Sequence, residues 1–163
     1  VSLLAAFAGI SIYISFRFDK KYAFLALFAL IHDITIVSGI FAWLGLIYQV
    51  EVDSLFAVAL LTIAGYSVND TVVIFDRIRE LSKLEEFNNI EKIDIAVSAS
   101  LTRTLYTSGS TLLPLTALII FGGSTLKMFA IALAIGVIVG SWSSIALAPS
   151  LLSLSFSDKL KSN

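Results

Sequence analysis

The chain has 163 residues, 58% of them hydrophobic and only 14% charged, with a formal net charge of −1. A soluble domain carries roughly a quarter charged residues, so a chain this apolar belongs in a bilayer. The charge balance offers no general attraction to nucleic acid. With no cysteine and one histidine, disulfide frameworks, thiolate chemistry and polyhistidine metal centres are excluded.

A spanning helix needs about 20 predominantly apolar residues, and five segments meet or approach that length. The first, about 1–16, is short and apolar from Val1 without a basic n-region, which reads as a chain beginning inside a helix rather than as a signal peptide. A basic turn, Arg17 to Tyr22, leads to the second segment, about 23–43. A loop with two acids precedes the third, about 54–75. A charged stretch, 76–101, separates it from the fourth, about 102–121, and a Gly122-Gly123 turn opens the fifth, about 126–148. The predicted fold is therefore all-α: a membrane helical bundle of about five transmembrane helices over residues 1–154, with a tail at 155–163. In the charged stretch, Ile78, Leu81, Leu84, Phe87 or Asn88, and Ile90 approximate helical spacing. That pattern fits an amphipathic helix on the membrane surface, or else a solvated connector. Pro114 and Pro149 are expected to kink or end their helices.

Lysine and arginine gather in cytoplasmic loops. Arg17, Lys20, Lys21, Arg77, Arg79, Lys83, Lys92, Arg103, Lys159 and Lys161 fall on one side of this topology and Lys127 alone on the other. The first helix then enters the cytoplasm at Arg17, and the fifth returns the C-terminus to it. Both outward loops are too short to fold alone.

Polar groups inside such helices cost ~2.5–3.5 kcal/mol for a central carboxylate, and they mark function by default. Asp70 interrupts the apolar run of "GYSVNDTVVIFDRIRE", about six residues before the charged boundary. It must be neutral, paired or turned to a wet cavity. An acid whose cationic partner comes and goes can bind and release a proton. The alternative is that it fastens helices together. Ser67 with Asp70, and Tyr66 with Asn69, are three residues apart and share a broad polar face. In the fourth helix, Ser100, Thr104, Thr107 and Thr111 form a hydroxyl stripe beside a second stripe of Arg103, Thr107, Ser110 and Pro114. Arg103 either meets Asp70 or snorkels to the headgroups as an anchor. The second helix carries the pair His32-Asp33, with Asp33 a further candidate for the proton relay and His32 either a relay or a packed hydrogen-bonding residue. The fifth holds Gly136 and Gly140 in "GVIVG", which with Ala132 let another backbone approach closely. No phosphate-binding loop, nucleophilic triad or metal-ligand cluster is present, so neither an enzyme nor a resident cofactor is expected. Energy would come from an ion gradient, about 2.3 kcal/mol per proton at 100 mV, or from partner proteins.

The stretches "GYSVNDTVVIFDRIRE" and "SLTRTLYTSGSTLLPLTALIIFGG", with "ALIHDITIVSGIF" and "FAIALAIGVIVGSWSSIALAP", closely resemble the SecD/SecF family of protein-export membrane proteins. The resemblance covers nearly the whole chain. It implies an accessory subunit of Sec-dependent export, within the RND superfamily, that uses the proton motive force together with a SecD-like partner, the Sec translocon channel and the emerging polypeptide. It implies a place in the inner (plasma) membrane, or the thylakoid of a photosynthetic source. Sodium is the alternative coupling ion. By motif position Asp70 matches the family's intramembrane aspartate and Arg103 its motif arginine, both assigned to proton conduction, with Asn69 and the neighbouring Thr and Ser residues lining the path. The family pattern has a first helix and a periplasmic domain ahead of Val1. Two rival readings are a fragment of a small-molecule exporter of the same superfamily and a scaffold whose Asp and Arg only fasten helices.

Overall fold

The computed structural model describes residues 2–83 and 87–161, and every regular element among them is helical. Helix α1 (Ser2–Arg17) turns at Phe18-Asp19 into α2 (Lys20–Tyr48), which Gln49 ends in the left-handed region at φ 54°. Asp53 then caps α3 (Ser54–Leu81), its carboxylate accepting from the Leu55 and Phe56 backbone N–H groups. Helix α4 (Asn89–Phe121) starts in a capping box: Asn88 accepts from Ile90 and Glu91, and the Glu91 side chain accepts from the Asn88 N–H. Gly122 and Gly123 lead into α5 (Ser124–Trp142), which runs through a π-helical turn (Ser143–Leu147) into α6 (Ala148–Lys161).

Among the described residues, four helical stretches are long and apolar enough to cross a membrane: Lys20–Tyr48, Ser54–Leu81, Asn89–Phe121 and Ser124–Ser155. Helix α1 is apolar but shorter. The helices outrun the apolar windows seen in the sequence. Residues 76–81 continue α3, and 89–101 form the first turns of α4, so most of the charged stretch belongs to two long helices rather than to a separate surface helix. Ile78 and Leu81 are buried because they prolong the inward face of α3 beyond Ile74 and Phe75; Leu84 lies outside the described residues. The last helix likewise runs on to Lys161, past the start of the expected tail.

Neither proline ends its helix. Pro114 lies on the exposed side of α4, which continues for another two turns. Pro149 follows the π turn, and that turn has a physical cause. In a continuous α-helix the ring of Pro149 would meet the carbonyl four residues back, at Ile145. Widening the helix there relieves the clash, and the Ala148 N–H bonds the Ser143 carbonyl five residues back.

Helices α3 and α5 form the centre of the bundle, with α2 and α4 on either side and α1 against α2. Two apolar clusters fill it. One gathers Ile14, Phe18, Ala29, Leu30, Ile74, Phe75, Ala148 and their neighbours. The other gathers Val37, Phe41, Ala59, Ile63 and Ala132. At the outer end of the first, Arg17 pairs with Asp76 at 2.7 Å, and the guanidinium groups of Arg17 and Arg79 both lie over the Phe18 ring. Phe18, Tyr22 and Phe75 stack edge to face beneath them, so the α1–α2 turn is fastened to α3.

Candidate functional site

Between the two apolar clusters lies a polar layer centred on Asp33, which is 0% exposed. Its Oδ2 accepts hydrogen bonds from Ser67 Oγ on α3 at 2.5 Å and from Ser143 Oγ in the π turn at 2.7 Å. Its Oδ1 lies 3.0 Å from His32 Nδ1. One carboxyl thus ties together three segments of the chain. The next hydroxyl in the π turn, Ser144, is 2.8 Å from Thr71 Oγ1 and donates to the Ser67 carbonyl at 3.3 Å. The π turn brings two consecutive serines inward, to α2 and to α3.

The close approach that makes this layer possible comes from the glycines of α5. A Cβ on Gly136 would run into the Ile63 side chain. One on Gly140 would lie 3.2 Å from Ser67 Cβ and 3.6 Å from Asp33 Oδ2. With nothing but hydrogen at these positions, α3 and α5 pack backbone to side chain, as small residues allow where van der Waals contact drives association.

Asp70 occupies the neighbouring stripe of α3 and is 3% exposed. Its Oδ2 is buried without a hydrogen-bond partner. The stripe Tyr66, Asp70, Val73, Arg77 faces α4: the Tyr66 hydroxyl donates to Ser108 Oγ at 3.4 Å, and Val73 and Arg77 line a cavity with Ala99, Ser100 and Arg103. This antiparallel register sets Thr104 opposite Asp70. Arg103, on the exposed side of α4, lines that cavity and makes no direct ion pair with Asp70 among the described residues. The cavity beside it measures about 360 Å³ and reaches Asp76 and Glu80 at its mouth.

Ser67 and Asp70 thus lie side by side on α3, as the three-residue spacing predicts, but meet different helices. Ser67 turns to Asp33, Asp70 to α4, and no hydrogen bond joins the two acids. Asn69 is exposed and stands apart from both. On α4 the inward hydroxyls are Ser100, Thr104 and Ser108, while Thr107 and Thr111 are half-buried. Thr107 and Thr111 donate to backbone carbonyls of their own helix, at Thr104 and Thr107. Ser108 alone among these bridges helices, lying 2.5 Å from Ser141 Oγ on α5 as well as meeting Tyr66. Ser108, Ser141, Ser143, Ser144 and Thr71 were not singled out from the sequence as site residues. Their signal was present: "SWSS" sets three hydroxyls within four residues of an otherwise apolar helix.

Four long apolar helices, with two aspartates sunk into the seams between them, define a multi-pass membrane domain with acid groups in its interior. Residues 1–157 match the family described as protein export membrane protein SecD/SecF, C-terminal, and the chain belongs to that family. Similar proteins include the protein translocase subunit SecF of Prochlorococcus marinus, 70% identical over 94% of this chain and 48% of its own length. That of Synechocystis is 50% identical over 93% of this chain and 48% of its own. The chain thus spans about half the length of these relatives. The crystal structure of SecDF from Thermus thermophilus, a translocon-associated membrane protein, superposes with a TM-score of 0.83 at 38% identity, covering 90% of this chain and 20% of that one.

Proposed function

We propose that this chain is the membrane motor portion of a Sec export accessory subunit, in which protonation of Asp70 couples the proton motive force to polypeptide translocation. The single observation that carries the reading is the buried, unpartnered Oδ2 of Asp70. Leaving such an atom without a partner costs ~1–3 kcal/mol, and an ionisable group kept inside a membrane at that cost is a functional site by default. An oxygen with no structural hydrogen bond can take up and lose a proton without dismantling the bundle. Arg103 supplies the charge that biases this exchange, and the 360 Å³ cavity that it lines with Val73, Asp76 and Ser100 brings space for water to within one turn of Asp70. Ser100 lines that cavity, Thr104 is buried one turn along the same face of α4, and the Tyr66–Ser108–Ser141 bridge closes the seam beyond Asp70.

The proton is the coupling ion in this reading, with sodium the alternative. The partner is a SecD-like subunit acting with the Sec channel on the emerging polypeptide, in the plasma or thylakoid membrane with the C-terminus in the cytoplasm. The names of the similar proteins and the one-sided placement of lysine and arginine support these assignments. Gradient-dependent export into vesicles bearing the full-length protein tests the reading: Asp70→Asn is expected to abolish it with membrane insertion intact, and undiminished gradient sensitivity would overturn it.

A further inference from the structure

Asp33 is as deeply buried as Asp70, yet the carrier has no use for it. We propose that Asp33 is a positioning residue: by holding Ser67 of α3 and Ser143 of the π turn on one oxygen, it fixes the rotation of α3 so that Asp70 faces α4 and Arg103. The consequence for transport rests on the carrier role of Asp70; the positional claim does not.

The geometry runs through α3. Ser67 and Asp70 are three residues apart, so their side chains point about 60° apart and about 4.5 Å along the axis. A rotation of α3 that carried Asp70 away from α4 would pull Ser67 off Asp33 Oδ2, where it is held at 2.5 Å. That oxygen is also the anchor of Ser143 at 2.7 Å, and Ser144 grips Thr71 and the Ser67 carbonyl one residue further on. Both serines sit in the π turn that precedes Pro149, Ser143 reaching α2 and Ser144 reaching α3. Gly140 removes the slack, since a side chain there would meet both Ser67 and Asp33. Asp33 on α2 is thus bonded at once to α3 and to the π turn that follows α5.

Asparagine and alanine separate positioning from proton transfer. Asp33→Asn still offers one oxygen to both serines and its amide N–H to His32 Nδ1 in the accepting tautomer, but it cannot carry a proton. Asp33→Ala removes the anchor. The double variant Asp33→Ala/Ser67→Ala removes both ends of a contact, leaving fewer polar groups buried alone, and guards against simple misfolding. Each is built in the full-length protein with its partner subunit, in membrane vesicles. A Val73→Cys reporter is added on the α4-facing stripe; this chain contributes no other cysteine. We expect Asp33→Asn to keep gradient-dependent export within about twofold. Asp33→Ala and the double variant should lose about 10- to 100-fold at normal membrane levels, as misplacement of a reacting group does. Maleimide labelling of the Val73→Cys reporter should change in the alanine variants and not in asparagine. Asparagine as inactive as alanine, with labelling unchanged throughout, would make Asp33 a carrier and overturn the proposal; so would full activity and unchanged labelling in alanine. If Asp70→Asn itself stays active, the transport reading fails, while the labelling pattern still decides whether Asp33 sets the rotation of α3.

Discussion

At Asp33, polar groups from α2, α3 and the π turn converge on one carboxyl, whereas on the adjacent stripe of α3 Asp70 is buried nearly as completely with one oxygen that has no partner among the described residues. Depth alone therefore does not separate the two acids. What distinguishes them is whether the surrounding groups are already committed. The Asp33 region resembles a soluble protein's core network, in which every polar atom has a partner and the whole is rigid. Asp70 instead keeps an unpartnered oxygen, and the cavity lined by Val73, Ser100 and Arg103 begins one turn further along α3.

Four substitutions sharpen this contrast, with stability read by denaturant unfolding of the purified full-length protein. The largest loss is expected from Asp33→Ala, about 3 kcal/mol, because it strands the buried Ser67 hydroxyl, leaves Ser143 only the Gly140 carbonyl, and opens a void at a fully buried position. Gly136→Val follows at about 1–3 kcal/mol, since the new side chain must displace Ile63. Ile63→Ala in the same chain should recover part of that loss, and no recovery would show that the seam is not the cause. Ser144→Ala should cost only about 0.6 kcal/mol, the usual worth of an interhelical hydroxyl bond in a membrane protein. Asp70→Asn is expected to cost least, because no hydrogen bond to Oδ2 is lost and the shape is kept, while abolishing gradient-dependent export. A loss at Asp70 as large as that at Asp33 would erase the distinction.

Much of the architecture was legible in the sequence because the apolar runs are long and the turns between them short. The helix ends were not. Asp76 looked like a boundary because it is charged, but its pairing with Arg17 lets α3 continue through it, and Asn88 with Glu91 starts α4 well before its apolar part begins. Asp70 and Arg103 stood out because charge within an apolar run is conspicuous. The division of labour between Ser67 and Asp70 was hidden, since three-residue spacing says that two side chains are neighbours and not which helix each one meets. The partners of Asp33 were hidden for another reason: Ser143 reaches it through a departure from α-helical geometry that Pro149 provokes, and regular periodicity does not represent it.

The contact of Gly136 with Ile63 carries a mechanical consequence. Sliding α5 along α3 would require lifting Ile63 out of its notch, so tilting about that point is the easier relative movement. A rigid tilt of α3 would then pivot at Ile63. Asp70 lies about 10 Å along one arm and Asp53 about 15 Å along the other, at 1.5 Å per residue. Such a tilt would move the opposite loop in the reverse direction by about one and a half times as much as it moved the acid.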